Sequence, residues 1–220
     1  MSDGRVLVAA ATPRELDIAP TDWAGADRRI AGSGLLRDDA AGALGMVTGV
    51  GPAAAAMRVT AALERLEVES VLSIGVAGAL PGSDLDVGDA VVGTEAVQAD
   101  LGRREPTGFV PMDEIGLEAA TTGPFPLADV DAAGERGGVA SVAAASATDA
   151  RAEGVAERTG AVAETMETAA VARAGATYGV PVAAVAGIAN RAATDRGFDA
   201  AAGIDALRAA LDGSDLEVSP

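Results

Sequence analysis

Residues 182–189 read Val-Ala-Ala-Val-Ala-Gly-Ile-Ala, an unbroken apolar run, and Asn190 follows directly. Such a run is typical of a strand that a parallel sheet buries on both faces. Open α/β sheets bind ligands at the carboxyl ends of these strands. Asn190 is the only asparagine of the chain, and its amide offers a heterocycle both a donor and an acceptor. A helix cap or a turn is the structural alternative, and spacing alone does not separate the two.

Similar apolar runs alternate with helical patterns along the whole chain. Strands are predicted at residues 6–11, 44–48, 70–74, 90–97, 139–145 and 182–189, and helices at residues 52–66, 148–158, 164–178 and 199–211. Such alternation indicates a mostly parallel sheet with helices on both faces. The prediction is therefore an α/β fold of three layers, with a mixed, mostly parallel central sheet flanked by helices, in one domain over residues 1–220.

Two segments are predicted to be irregular. Residues 103–137 are rich in Pro and Gly and are predicted to form a loop with one short helix near residues 113–120. Residues 194–196, Thr-Asp-Arg, are predicted to lie in a mobile loop before the last helix.

The first strand leads into a helix start that carries an acid. Thr12 is a natural N-cap and Pro13 a natural first helical residue, so a helix is expected to begin there. Glu15 then lies in the first turn of that helix, at the carboxyl end of a strand.

The composition excludes several kinds of chemistry. The chain has 220 residues and contains no His, Cys or Lys, which excludes thiolate catalysis, Cys or His metal sites and Schiff-base lysines. Carboxylates must then carry most proton chemistry, and neither a metal nor an organic cofactor is expected. The net charge of −17 repels phosphate backbones, so nucleic acid is not an expected partner, and it suits a salt-tolerant cytoplasm. The sequence predicts no membrane span and no signal peptide, hence a soluble, cytoplasmic protein.

Two glycine-rich segments follow predicted strands. Residues 49–52, Gly-Val-Gly-Pro, resemble a degenerate dinucleotide-binding loop, but the next strand lacks a terminal acid for the ribose, so a tight βα turn is favoured. Residues 75–78, Gly-Val-Ala-Gly, are predicted to form a second turn, whose small side chains let a ligand approach the backbone. No basic residue accompanies this segment, so a nucleoside or sugar suits it better than a phosphate ester. A plain structural turn is an equal alternative.

The predicted helix at residues 164–178 begins with two acids. Glu164 and Glu167 lie one turn apart on the same side, and Glu167 borders an apolar stripe formed by Ala163, Met166, Ala170 and Ala174. A carboxylate on such a buried flank suits the two vicinal hydroxyls of a ribose. The alternative is a solvated acid that interacts with the helix dipole.

Together these motifs resemble the purine nucleoside phosphorylase and methylthioadenosine nucleosidase superfamily and, within it, the futalosine hydrolases. The superfamily likeness rests on Met166-Glu167 with residues 75–78. The likeness to futalosine hydrolases rests on residues 99–102, Gly108-Phe109 with residues 111–117, and Asn190-Arg191. Relatives that act on methylthioadenosine carry Asp where this chain has Asn190, which favours a 6-oxopurine. The resemblance implies hydrolysis of futalosine to hypoxanthine and dehypoxanthine futalosine, in menaquinone biosynthesis, by a homo-oligomer without a cofactor.

The resemblance also implies roles for individual residues. Glu15 matches the acid that orients the attacking water, and Asn190 matches the residue that faces N7 and O6 of the base. The implied substrate-binding residues are Val76, Ala77, Gly78, Met166, Glu167, whose carboxylate grips the ribose, and Arg191.

The sequence departs from the family pattern at four places, where it has Thr168 for Gly, Ala189 for Ser, and Ala184 and Ala186 for Glu and Arg. Three alternatives to a futalosine hydrolase stay open: another purine nucleosidase or phosphorylase, a nucleoside-binding protein that has lost turnover, and a dinucleotide-binding reductase.

Overall fold

A computed structural model describes residues 5–106, 108–116, 122–193 and 197–219 of the protein. The helices are α1 (Pro13–Leu16), α2 (Pro52–Leu63), α3 (Asp149–Thr159), α4 (Thr168–Tyr178) and α5 (Ala200–Ala210), with a 3₁₀ turn at Asp113–Ile115. The strands are β1 (Val6–Ala10), β2 (Ala24–Ile30), β3 (Ser33–Asp38), β4 (Ala43–Val47), β5 (Ser70–Ala79), β6 (Ala90–Gln98), β7 (Gly102–Glu105), β8 (Gly108–Pro111), β9 (Phe125–Pro126), β10 (Asp129–Val130), β11 (Glu135–Ser141), β12 (Ala163–Thr165), β13 (Val182–Arg191) and β14 (Val218–Ser219).

One sheet of ten strands organises the molecule. Its order is β12-β11-β6-β13-β5-β1-β4-β3-β2, with β9 paired to β6. Strand β12 also pairs with β5, so β5, β13, β6, β11 and β12 close into a ring at one end of the sheet. Five pairings are parallel, namely β1 with β4, β1 with β5, β5 with β13, β6 with β11 and β11 with β12, and they join most of the paired residues of this sheet. The other five pairings are antiparallel and join fewer residues. The predicted mostly parallel sheet is confirmed.

Side chains that alternate along β1 enter two different cores. Val6, Val8 and Ala10 pack in a cluster with residues of α5 such as Ile204 and Leu207. Leu7 and Ala9 pack on the opposite face with α2 and α4 residues. Since successive strand residues point to opposite faces, helices cover both sides of the sheet, which confirms the three-layer α/β prediction. No helix in the described ranges is long and apolar enough to cross a membrane.

The predicted strands and most helices are confirmed, with ends that differ by a few residues. Helix α1 begins at Pro13 with Thr12 as its N-cap, as predicted, and α5 begins after Asp199, whose side chain accepts from the N–H groups of Ala201 and Ala202. Strands β2 and β3 form an antiparallel hairpin in a region for which no strand was predicted.

The predicted turn at residues 75–78 is wrong. Strand β5 runs through to Ala79, because its second half pairs with β13 on one side and with β12 on the other. Small residues are needed there for a different reason, since a Cβ at Gly78 would lie 3.2 Å from the Asn190 amide.

The predicted helix over residues 164–178 is wrong in its first turn. Residues 163–165 form β12, which pairs with both β11 and β5, and α4 begins only at Thr168 with Glu167 as its N-cap. Pairing on two sides overrides the local helical pattern. Glu164 and Met166 therefore precede the helix, and the predicted stripe with Ala163 does not form.

The predicted loop over residues 103–137 is wrong in part. Strands β7 and β8 form a hairpin, and β11 begins at Glu135. The predicted short helix is reduced to the 3₁₀ turn Asp113–Ile115, and its remainder at 117–120, like the predicted loop at 194–196, lies outside the described residues.

A close approach between β13 and α5 depends on Gly187. A Cβ there would lie 1.9 Å from the carbonyl oxygen of Gly203, which only a shift of backbone could relieve. We expect Gly187→Ala to lower the free energy of unfolding by about 1–3 kcal/mol, the usual cost of overpacking. Thermal unfolding measures this as a Tm lower by about 2–4 °C per kcal/mol. Gly34→Ala, at a strand position with open space, is the matched control, and an equal effect of both substitutions would contradict this account of the packing.

Candidate active site

A cavity of about 670 Å³ lies where the carboxyl ends of β1, β12 and β13 meet the second half of β5. Its wall contains Ala11, Thr12, Glu15, Val50, Val76, Ala77, Gly78, Val142, Ala145, Ser146, Ala147, Glu164, Thr165, Met166, Glu167, Asn190, Ala193 and Phe198. Seven of the eight predicted site residues thus line one cavity, and Arg191 is the exception. The volume falls in the range of small-molecule sites.

Glu15 is held rigidly at one side of this cavity. One carboxylate oxygen accepts from the N–H of Thr12 at 2.8 Å and from its hydroxyl at 2.7 Å, while the Thr12 hydroxyl in turn accepts from the N–H of Glu15. This reciprocal capping box fixes the side chain. The other oxygen accepts from the N–H of Val76 at 3.2 Å. Glu15 lines the cavity with only 6% of its surface exposed, so its carboxylate is shielded from bulk solvent.

Glu167 lies at the start of α4 and reaches across to the turn after β4. Its Oε1 accepts from the N–H of Gly51 at 2.7 Å. Burial raises the pKa of the Glu167 carboxyl above its ordinary value, and the nearby charge of Glu15 adds to the rise, while the Gly51 N–H opposes it. The glycine turn therefore positions a carboxylate instead of a phosphate, and Gly49 and Gly51 both adopt positive φ there. The favoured interpretation of residues 49–52 as a βα turn is confirmed.

Asn190 marks the other end of the cavity. It lies near the end of β13 beside a register shift after Ile188, and its amide packs against the backbone of Gly78. Glu15 instead lies against Gly75, where a Cβ would be 3.2 Å from its Oε1. Strands rise by about 3.3 Å per residue, so Gly75 and Gly78 are about 10 Å apart along β5. Glu15 and Asn190 therefore lie against positions of β5 that are three residues apart.

Arg191 is not brought to the cavity. Its guanidinium forms an ion pair with Asp86, with a 3.0 Å contact between Nη2 and Oδ2, and this carboxylate raises the pKa of Arg191. The side chain is exposed, and successive strand residues point to opposite faces, so Asn190 and Arg191 diverge. The predicted binding role of Arg191 lacks geometric support.

The wall of the cavity is largely apolar, and its charged side chains are acidic. Three carboxylates, those of Glu15, Glu164 and Glu167, line it, and no arginine is among the lining residues of the described chain. Such a wall accepts hydrogen bonds from hydroxyl and N–H groups and repels phosphate. In the same described ranges, no three Asp or Glu side chains come together in a way that could hold a metal ion.

Several wall residues were not singled out as site residues. Thr12 was predicted as a cap, and the spacing Thr-x-x-Glu could have indicated that it also fixes Glu15. Ser146 comes from the segment after β11, and Phe198 is 65% exposed in a chain with few aromatics. No local sequence signal places Ser146 in this wall, because its position depends on how β5, β13, β6, β11 and β12 close into a ring.

Comparison with known proteins agrees with this architecture. The sequence model of the Phosphorylase superfamily matches residues 42–211. Among solved structures, the 5′-methylthioadenosine/S-adenosylhomocysteine nucleosidase of Colwellia psychrerythraea, in complex with adenine, superposes with a TM-score of 0.75 at 19% identity, covering 97% of this chain and 92% of that one. The futalosine hydrolase of Helicobacter pylori, in a mutant form, gives a TM-score of 0.71 at 20% identity, covering 96% and 95%. At these identities the superpositions establish the fold, and with the family match they define a phosphorylase-superfamily protein.

Curated relatives show to which family of this superfamily the chain belongs. The chain is 34% identical over 189 residues to the futalosine hydrolase of Acidothermus cellulolyticus, covering 79% of this chain and 75% of that one. It is 40% identical over 156 residues to the futalosine hydrolase of Thermus thermophilus, covering 66% and 68%. Within the phosphorylase superfamily, the chain belongs to the futalosine hydrolase family.

Proposed function

We propose that the protein is a nucleosidase that hydrolyses the N-glycosidic bond of futalosine, releasing hypoxanthine and dehypoxanthine futalosine for menaquinone biosynthesis. The observation that carries this proposal is the placement of Glu15, Glu167 and Asn190 around one cavity. Family membership supplies the substrate, because curated relatives at 34% and 40% identity are futalosine hydrolases.

The proposed reaction assigns one step to each residue. Glu15 takes a proton from a water molecule whose oxygen adds to C1′ of the ribose, while the bond from C1′ to N9 breaks. The electron pair of that bond enters the purine, and the Asn190 amide stabilises the developing charge by a hydrogen bond at N7. The departing purine anion takes a proton from solvent to become hypoxanthine, and Glu15 releases to solvent the proton that it took from water. Glu167 accepts hydrogen bonds from the ribose hydroxyls and holds C1′ in place. We assign contacts with the sugar and base to Val76, Ala77, Gly78 and Met166, because these residues line the cavity.

Hydrolysis is favoured over phosphorolysis by the charge of the wall. A phosphate nucleophile needs basic groups that offset its charge, whereas the lining residues of the described chain include three carboxylates and no arginine. The experiment is release of free base from futalosine, inosine and methylthioadenosine, with and without phosphate, at low and high salt. We expect hypoxanthine from futalosine at a rate that does not depend on phosphate. Release of adenine from methylthioadenosine alone, or turnover only with phosphate, would contradict the proposal.

Asn190 provides a test of base recognition. We expect Asn190→Asp to lower kcat/KM for futalosine by about 10-fold or more, because a carboxylate in place of the amide loses the donor to N7 and O6. The same change is expected to improve the relative use of a 6-aminopurine nucleoside, whose amino group donates. The ratio of kcat/KM for inosine to that for methylthioadenosine, measured on one preparation, is internally controlled. An unchanged ratio would remove Asn190 from base recognition.

We further propose that residues 1–220 form one catalytic domain that assembles as a homo-oligomer in the cytoplasm, as the resemblance implies. An apolar groove of about 480 Å³ runs between α2 and α4, with small residues such as Ala56, Ala170 and Ala174 in its wall. Sedimentation equilibrium at several salt concentrations measures the assembly state, and a monomer under all of them would contradict the oligomer.

A further inference from the structure

A second buried acid of the cavity wall has no role in the reaction described above. Glu164 is only 5% exposed, and its Oε1 accepts from the N–H of Ser146 at 2.8 Å. Its Oε2 and the Ser146 hydroxyl are buried without any hydrogen-bond partner in the described structure. Both residues line the cavity. A buried carboxylate oxygen without a donor costs free energy, which a donor on a bound molecule would offset.

The strand register places Glu164 at the end of the cavity that holds Asn190. In the antiparallel pair of β12 and β5, Glu164 lies directly opposite Gly78. Residues opposite each other in such a pair point to the same face, with Cβ positions about 4.5–5.5 Å apart. The Cβ position of Gly78 is 3.2 Å from the Asn190 amide, so Glu164 and Asn190 border the same part of the cavity. Glu15 lies at the other end, against Gly75.

The chemistry of the base decides what Glu164 receives there. In a 6-oxopurine nucleoside N9 carries the sugar, O6, N3 and N7 accept hydrogen bonds, and N1–H is the one donor of the base. If the Asn190 amide binds the N7 and O6 edge of the base, the N1–H group next to O6 faces the neighbouring side chain, which is Glu164. A carboxylate matches that N–H, while the N1 lone pair of a 6-aminopurine repels it.

We propose that Glu164 accepts a hydrogen bond from N1–H of the bound base and thereby selects 6-oxopurines, with the backbone N–H of Ser146 holding the carboxylate in place. This inference rests on the proposed function, because it concerns the same cavity and a nucleoside bound with its base beside Asn190. It makes Glu164 a specificity-determining residue alongside Asn190.

The test is the preference of Glu164→Gln for hypoxanthine over adenine, measured by calorimetric binding of the two free bases. The glutamine keeps an acceptor for the Ser146 N–H and presents an NH₂ group toward N1. We expect hypoxanthine affinity to fall roughly 10-fold or more and adenine affinity to rise, so that the preference falls about 100-fold or reverses. Glu153→Gln, an exposed acid on α3, is the matched control for the lost charge and is expected to keep the wild-type preference.

Glu164→Asp provides a second variant in case glutamine disturbs the ring of strands, which parallel thermal unfolding would reveal. It keeps the charge but withdraws the carboxylate from the base, so the preference for hypoxanthine is again expected to fall. An unchanged preference in a folded variant of either kind overturns the inference. Futalosine hydrolysis by the wild type, assayed on the same preparation, distinguishes the two proposals. If the wild type is active and the variants keep its base preference, only the role of Glu164 is refuted. If the wild type does not turn over futalosine, the proposed function is refuted.

Discussion

Glu15→Gln is expected to lower kcat for futalosine hydrolysis by about 10²–10⁴-fold, the usual contribution of a positioned general base. The amide cannot take a proton from water. It also cannot satisfy all of the present contacts, because Thr12 and Val76 offer backbone donors to both carboxylate oxygens. Steady-state kinetics with futalosine measures the loss, and KM is expected to change little because the residue acts on water rather than on the bound nucleoside.

Asp17→Asn is the matched control for Glu15→Gln. Asp17 follows α1 directly, is exposed, and carries the same charge. We expect this variant to keep wild-type kcat, which would show that the loss in Glu15→Gln comes from the placed carboxylate and not from a change of one charge in an acidic protein. A Glu15→Gln enzyme with near wild-type kcat would exclude Glu15 as the base.

Glu167→Gln is expected to lower kcat/KM by roughly 10- to 100-fold, because hydrogen bonds to a charged group contribute about 1.5–3 kcal/mol. In the wild type this contribution depends on pH, since burial and the charge of Glu15 raise the pKa of Glu167. The ionised carboxylate accepts both ribose hydroxyls, so nucleoside affinity is expected to fall as pH decreases through this raised pKa. Glu167→Gln is expected to lack this pH dependence. Nucleoside affinity of both proteins, measured from pH 8 to pH 5, checks the prediction.

The same substitution is expected to stabilise the protein without substrate. Because the folded-state pKa of Glu167 is raised above the ordinary value of 4.5, its effect on stability is fully favourable below the unfolded-state pKa and is lost as pH rises through the folded-state pKa. Glutamine avoids the buried charge, so Tm should exceed that of the wild type at pH 8, and the difference should shrink toward pH 4.5. Glu153→Gln, which removes an exposed charge, should show no such trend. A Glu167→Gln variant that loses Tm at pH 8 would contradict this account of the site.

The sequence alone predicts the elements whose signals are local. Thr12 and Pro13 identify the start of α1, and the apolar run of residues 182–189 identifies the strand that carries Asn190. Each of these features depends on neighbours within a few residues, so periodicity and capping chemistry are sufficient.

The features that were missed depend on pairing between distant segments. Residues 75–78 extend β5, and residues 163–165 form β12, only because the ring of strands supplies partners on both sides. A three-residue strand before a helix has no periodicity of its own, so it was predicted as the first turn of that helix. Glu164 lines the cavity because it lies in that strand. Arg191 is directed away from the cavity because it pairs with Asp86, a residue far from it in the chain.

Water activated by Glu15 is expected to cleave the glycosidic bond of futalosine in this cavity. The most direct measurement is turnover of futalosine in ¹⁸O-labelled water, with and without phosphate, followed by mass spectrometry of both products. We expect unlabelled hypoxanthine, and one ¹⁸O atom at C1′ of the base-free sugar product, in equal amounts under both conditions. No hypoxanthine, or a phosphorylated sugar product formed only when phosphate is present, would contradict it.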